Sequence, residues 1–499
     1  MQRFVFIGFD AADYRLIRRW AQDGTLPMFR RLLATSAVTK CRSPFAFFVG
    51  AQWPSFYTGL NPAGHGRYCY SQLVPGGYDD ESFPASSIGG TPFWDALGTQ
   101  GRRFTVTDVP KTVLSDRFSG THVVDWATHD SEKLGMQTAP APLAKEIVDR
   151  YGKNPDDNCN RIDRTVDGYR SLRDRLIDRV HRKERLLSEQ LAKNDWDAFV
   201  AVFADTHCAG HQFWHLHDPR HDRFDQAVAD AVGNPLRDVY SAVDAALGRL
   251  LPQIPADCLT MVFASHGIGP HWDGTHLMDD VLARLDDALP HGRPPQASRV
   301  EAALRRRGQE IRPYRLRKYL PKPLSHRIFR KAFWVPNNEA YLGTRINLEG
   351  REPLGRIRPG SEFDAYCAAL MQALRQLRVG PNGPPAFADV ALTSDHLRGA
   401  RLDTLPDIVA RWTRVRPFEV LASPMIGEVR GRYEGPRSGD HYPDGLLLVS
   451  GGNIVPGDRP PCAVEDLAPT FGALLGGDIG PVDGVALDWL PRSAPSSRP

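Results

Sequence analysis

Cysteine is scarce in this chain and follows no pattern. Seven cysteines, at positions 41, 69, 159, 208, 258, 367 and 462, are scattered over 499 residues. There is no CxxC pair and the number is odd. Both facts argue against a disulfide framework and for reduced thiols, hence a cytoplasmic location. Long apolar runs are missing as well. No stretch approaches the roughly 20 residues of a membrane span. The first apolar run is short and leads straight into Asp10, which does not suit a cleaved leader. Charge of one sign is also lacking: 62 Lys+Arg stand against 59 Asp+Glu, so no general attraction to polyanions follows. Nor is there an internal repeat or a nucleic-acid motif. What remains is an ordinary globular composition, long enough for one or two large domains.

Three apolar runs each end in candidate metal ligands. Phe4–Phe9 runs into Asp10, Ala198–Phe203 into Asp205, His207 and His211, and Leu259–Phe263 into His266. A further histidine, His441, stands just before the run Gly445–Val449. Continuous apolar runs of this length read as strands buried on both faces, hence a parallel sheet. In such sheets chemistry gathers beyond the carboxyl ends of the strands. Asp and His arriving there from distant parts of the chain are what a divalent metal needs.

Helical patterns near 13–22, 28–34, 166–194 and 226–250 alternate with strands near 36–41, 104–108, 341–348 and 405–412. The alternation predicts an α/β fold: a three-layer sandwich with a mostly parallel central sheet and a cap built from insertions. The expected organisation is one domain from 1–290 and 336–490. A cap insertion is expected at 128–165, a basic insertion at 291–335 and a disordered tail at 491–499. Twelve Lys or Arg and only two Glu lie between Arg299 and Lys331. The plainer reading is a solvated segment, the sharper one a basic arm for an anionic lipid, polymer or partner.

Several pieces occur in a telling order: Val5-Phe6-Ile7-Gly8-Phe9-Asp10, Gly24-Thr25-Leu26-Pro27, Trp53-Pro54-Ser55-Phe56-Tyr57-Thr58-Gly59-Leu60-Asn61-Pro62, Gly210-His211-Gln212-Phe213-Trp214, Ser265-His266-Gly267 and Gly439-Asp440-His441. Together they resemble the alkaline phosphatase superfamily, in its type I phosphodiesterase/nucleotide pyrophosphatase branch. The resemblance implies two adjacent divalent metals, usually zinc, acting on phosphoesters. It makes Asp10, His211, His266 and His441 metal ligands, with Asp10 and His266 also catalytic.

Three positions depart from that pattern. His207 stands where the family has an Asp four residues before the histidine, and Asp205 lies two residues earlier. A site of His207, His211 and His441 is one that zinc accepts, with Asp205 as a direct or supporting ligand. Ser265 replaces the Asp before His266. Val49 occupies the place of the Thr or Ser nucleophile; the nearest hydroxyls are Ser43, Ser55, Tyr57 and Thr58, of which Ser55 and Thr58 match helix positions that pack. His271, Asp273 and His276 lie close enough in sequence to replace the lost carboxylate. Trp53, Trp214 and His65 read as structural, and His215 and His217 as surface or supporting residues.

The expected function is a hydrolase of phosphoesters, most of all phosphodiesters. It would use one or two ions of zinc or manganese, with water at the metal or an unidentified nucleophile. Its substrate would be a phosphorylated or anionic small molecule. The alternatives are a degenerate relative that binds an anionic or phosphorylated partner, and a transferase reusing the cleft.

Overall fold

The computed structural model describes residues 1–129, 135–289, 326–338 and 340–493. The basic segment 299–331 falls largely outside the described residues, as does most of the tail.

A ten-stranded sheet organises the chain. Its main path runs Gly457–Asp458, Ala37–Arg42, Gly445–Ser450, Leu259–Ala264, Phe4–Phe9, Ala198–Phe203, Arg103–Thr107, Ser119–Val124 and Gln137–Ala139, while Cys462–Ala463 pairs with Ala37–Arg42. The central strands are parallel, and the expected sandwich with a mostly parallel sheet is what forms. Two members run the other way: Gly445–Ser450 is antiparallel to both of its neighbours, and Gln137–Ala139 is antiparallel to Ser119–Val124.

The apolar runs behave as strands covered on both faces. All six residues of Phe4–Phe9 are buried. Val5, Ile7 and Phe9 join one core with the helices Tyr14–Gln22, Val166–Lys193, Asp205–His217 and Pro235–Leu250. Phe4 and Phe6 join another with Phe48–Thr58, Phe93–Gly98 and Leu467–Leu475. The two-residue period of a strand feeds alternate side chains to the two helical layers. Gly8 interrupts the bulk for a reason. A Cβ there would lie 2.9 Å from the Trp53 ring, so glycine lets the indole reach across to the end of the strand.

A smaller antiparallel sheet, Ala332–Val335, Tyr341–Ile346, Ile408–Trp412 and Phe387–Leu392, packs with the helices Met278–Ala288 and Ser361–Arg375 around a third core. The single helix expected near 226–250 is two, Gln226–Val232 and Pro235–Leu250. Gly233 ends the first with positive φ, and Asn234 caps the second ahead of Pro235. The residue before a proline resists helix, and proline suits a first helical turn.

Buried imidazoles make this fold acid-sensitive. His65 bridges Ser55 Oγ at 3.1 Å and the Arg67 N–H at 3.1 Å, bracing the turn after its helix. Burial pushes His65 down to about 3 and His122 to about 4, from the ordinary 6.5. Below pH 6.5 the unfolded chain therefore binds protons that the folded chain refuses. Stability from each group is complete above that value and falls by about 1.4 kcal/mol per pH unit beneath it. Glu465, raised to about 7 by burial, works in the opposite sense, so a variant carries the test. In urea unfolding from pH 6.5 to 4.5, His122→Gln is expected to lose stability less steeply than the parent. Identical slopes would mean that His122 takes up its proton inside the fold.

Candidate metal centre

The strands deliver their ends to one edge. Phe9 is in register with Phe203 on one side and Ala264 on the other, so Asp10, the start of the next helix and Ser265 emerge side by side. Because Gly445–Ser450 is antiparallel, the chain entering it comes from this same edge. A two-stranded ladder, Gly267–Pro270 with Gly439–Tyr442, sets His441 opposite Ile268. The helix Asp205–His217 contributes His207 and His211, four residues apart and so on one face.

Three histidines, a serine and an aspartate form a connected chain. His211 Nε2 lies 3.0 Å from His441 Nε2, and His441 Nδ1 lies 3.0 Å from His266 Nε2. His266 Nδ1 is 3.0 Å from Ser265 Oγ, which lies 3.4 Å from Asp10 Oδ1. At the far end His211 Nδ1 is 2.7 Å from the Gly439 carbonyl. A carbonyl only accepts, so this nitrogen carries the proton and Nε2 turns its lone pair toward His441. His207 completes the group. Its ligand atom and those of His211 and His441 lie within 4.8 Å of one another, and its buried Nδ1 makes no hydrogen bond.

These residues suit a divalent ion. Burial, ahead of neighbouring charge, holds His207, His211 and His441 well below the ordinary imidazole range. They are therefore neutral, the form that ligates. Tetrahedral zinc with bonds of ~2.0 Å separates neighbouring nitrogens by about 3.3 Å, close to the His211–His441 spacing. With both Nε2 lone pairs turned to an ion, His441 keeps its proton on Nδ1 facing His266. The line His266, Ser265 and Asp10 then supports the ligand from behind, as outer hydrogen bonds commonly do.

A family model of type I phosphodiesterase/nucleotide pyrophosphatase matches residues 4–411. The chain belongs to the type I phosphodiesterase/nucleotide pyrophosphatase family. Among solved structures, murine ectonucleotide pyrophosphatase/phosphodiesterase 5 aligns over 97% of each chain at 11% identity, with a TM-score of 0.50. An inactive variant of that protein in complex with AMP aligns equally well. The human protein of the same name aligns over 97% of each chain at 12% identity, with a TM-score of 0.49. Identities this low speak for the fold alone. No curated protein sequence matches the chain.

For a member of this phosphodiesterase family, the Asp10 side of the site is altered. Asp10 Oδ1 accepts the Trp53 indole N–H at 2.8 Å. Trp53 is thus both core packing and a partner of Asp10. The Ser265 hydroxyl sits between Asp10 and His266 and accepts the Ala11 N–H at 3.1 Å. Asp10 and His266 are therefore joined through a hydroxyl. Val49, in the first turn of Phe48–Thr58, is buried beside Phe48 and Ala340. Its carbonyl accepts Lys111 Nζ at 3.0 Å. Three of the other hydroxyls are engaged elsewhere: Ser55 with His65, Thr58 with the Pro54 carbonyl and Tyr57 with the Lys111 carbonyl; the buried Ser43 Oγ makes no hydrogen bond.

Two sequence expectations need correction. Asp205 is not drawn into the histidine group. Its Oδ1 takes Arg179 Nε at 2.6 Å in an ion pair with both side chains fully buried. Position 205 begins the helix, two residues before the face that His207 and His211 share. His271 and Asp273 do not replace the lost carboxylate either. They pair with each other at 2.6 Å and gather with Asp440, which receives Arg414 Nη2 at 2.8 Å. Asp440 and His441 are successive strand residues, so their side chains leave opposite faces.

Sequence reasoning also missed residues that the fold brings in. Lys111 is far from His266 in sequence, yet its charge adds to burial in holding His266 near 3. His129 packs against His207 with ring centroids 4.0 Å apart and the ring planes tilted by 42°. Neither carries a motif. His129 had only its place in the expected cap segment, and Lys111 only its closeness to the end of the strand Arg103–Thr107.

Proposed function

We propose that this chain is a metal-dependent hydrolase of phosphodiesters working with one divalent ion at the histidine centre. The observation that carries the proposal is the convergence of neutral His207, His211 and His441, with a buried His207 nitrogen lacking any other partner. Bound there, zinc or manganese supplies Lewis acidity toward a phosphoryl oxygen and lowers the pKa of water in its open position.

The chain's own residues supply the rest. Val49 offers no nucleophile, and in this reading water rather than a side chain such as Ser43 supplies the attacking oxygen. Asp10, Ser265 and His266 fix the His441 ring and keep its Nδ1 proton in place. Lys111 donates to the Val49 carbonyl, at the position where the sequence lacks a nucleophile. An ammonium there favours the anionic phosphoryl group as charge develops on it. The preference for diesters rests on the family, whose model is that of type I phosphodiesterases and nucleotide pyrophosphatases.

The test pairs bis(4-nitrophenyl) phosphate with 4-nitrophenyl phosphate in the presence of zinc or manganese. Faster turnover of the diester is expected. Lys111→Met is expected to lower kcat/KM by ~10²-fold, about 2.7 kcal/mol of transition-state stabilisation, with metal content unchanged. A second reading rests on Val49 and Ser265: a degenerate relative that binds an anionic or phosphorylated partner. Metal-loaded protein that releases no nitrophenol from either ester would favour that reading over hydrolysis.

A further inference from the structure

Beside the histidine centre lies a second group of donors that the hydrolytic reading does not use. Cys159 Sγ and Cys208 Sγ lie 3.3 and 3.4 Å from the same atom, His129 Nδ1. His129, Cys208 and His207 also bring their ligand atoms within 4.8 Å of one another. The three donors come from separate elements: the loop after Ser119–Val124, the loop before Val166–Lys193, and the helix Asp205–His217.

Hydrogen bonding alone explains the convergence poorly. One ring nitrogen offers one lone pair or one proton, yet two sulfurs address it. Tetrahedral zinc with bonds of ~2.3 Å to sulfur and ~2.0 Å to nitrogen sets such donors about 3.5 Å apart, close to both observed spacings.

The surroundings are built to hold these donors. Asp108, at φ 54°, accepts the Trp126 and Ala127 N–H groups at 2.9 and 3.0 Å. Lys183 Nζ pairs with Asp108 at 2.8 Å and donates to the Ala127 and Val202 carbonyls at 3.0 and 2.7 Å. This fully buried clamp fixes the turn that presents His129. On the other side Arg179, anchored on Asp205 and on the Asp156 carbonyl at 2.9 Å, points Nη2 at Cys208 Sγ, 3.4 Å away. Asp205 thereby acquires a role: it aims Arg179.

We propose that Cys159, Cys208 and His129 form a second metal site, for a thiophilic divalent ion such as zinc, adjoining the histidine centre at His207. On binding, each thiol gives up its proton to solvent and two metal–sulfur bonds form. Three protein donors suffice without His207, which stays with His211 and His441. The site is independent of phosphodiester hydrolysis and stands whether or not the chain turns over an ester.

The probe is cobalt(II), added to metal-stripped full-length protein. The expected result is an intense near-ultraviolet sulfur-to-cobalt absorption that Cys159→Ser and Cys208→Ser each weaken and the double variant removes. Elemental analysis of zinc-loaded protein should fall from two equivalents to one in the double variant. His129→Gln, which leaves both thiols in place, should also lose one equivalent and guards against a folding failure in the serine variants. Circular dichroism confirms the fold of each. Absence of the sulfur band in the parent, or equal zinc in the parent and the folded variants, would overturn the site. So would a Cys159–Cys208 disulfide in metal-free, freshly purified protein that rebinds nothing after reduction.

Discussion

His441→Ala is expected to strip one equivalent of divalent metal from the protein and to abolish ester turnover. The ring of His441 is the centre of the chain that joins His211 on one side to His266 on the other, with both spacings at 3.0 Å. Removing it takes away a ligand and disconnects the support from Ser265 and Asp10 in the same step. A loss of ~10³-fold or more in kcat/KM is expected. His266→Ala should be milder, lowering metal affinity by roughly 10–100-fold, because His266 acts through His441. The two variants are compared by metal content and by competition with a chelator. Unchanged metal in His441→Ala would end the assignment. Equal and complete loss in both would make His266 a ligand in its own right.

The second large effect concerns stability. Arg179 and Asp205 are fully buried and 2.6 Å apart. Asp205→Asn leaves Arg179 charged, desolvated and without its carboxylate. Breaking a buried pair on one side destabilises by roughly 3–5 kcal/mol. Urea unfolding should register a fall of that size, while the histidine centre keeps its ion. The reverse result, with metal lost at undiminished stability, would restore Asp205 as a ligand. Replacing both partners by Leu and Met is expected to recover much of the stability, since apolar side chains carry no desolvation penalty.

The strands and the edge where chemistry gathers were legible because their signal is local. Six-residue apolar runs such as Phe4–Phe9 and Ala198–Phe203 have little alternative to a covered parallel strand. His207 and His211 were legible as neighbours because a spacing of four places them on one helical face. Asp205 was misread because sequence proximity to His207 says nothing of what the long helix opposite will carry. Its partner, Arg179, lies on Val166–Lys193, a segment whose charges look solvated when read alone. His129, Lys111 and Cys159 were invisible for a similar reason. Each sits in an irregular segment, fixed by long-range bonds such as those from Lys183 to the Ala127 and Val202 carbonyls. The break at Gly233-Asn234-Pro235 could have been read, since all three residues oppose an unbroken helix.

The antiparallel strand Gly445–Ser450 has a consequence for biosynthesis. It lies between Ala37–Arg42 and the parallel centre of the sheet. All the sheet partners of Ala37–Arg42 come from residue 445 onward. A strand made among the first fifty residues must therefore wait for the last sixty before its backbone is paired. Contacts of such long sequence separation form slowly and leave a strand edge open meanwhile. A ribosome-bound chain halted before residue 445 is thus expected to resemble a client of holding chaperones more than a partly working enzyme.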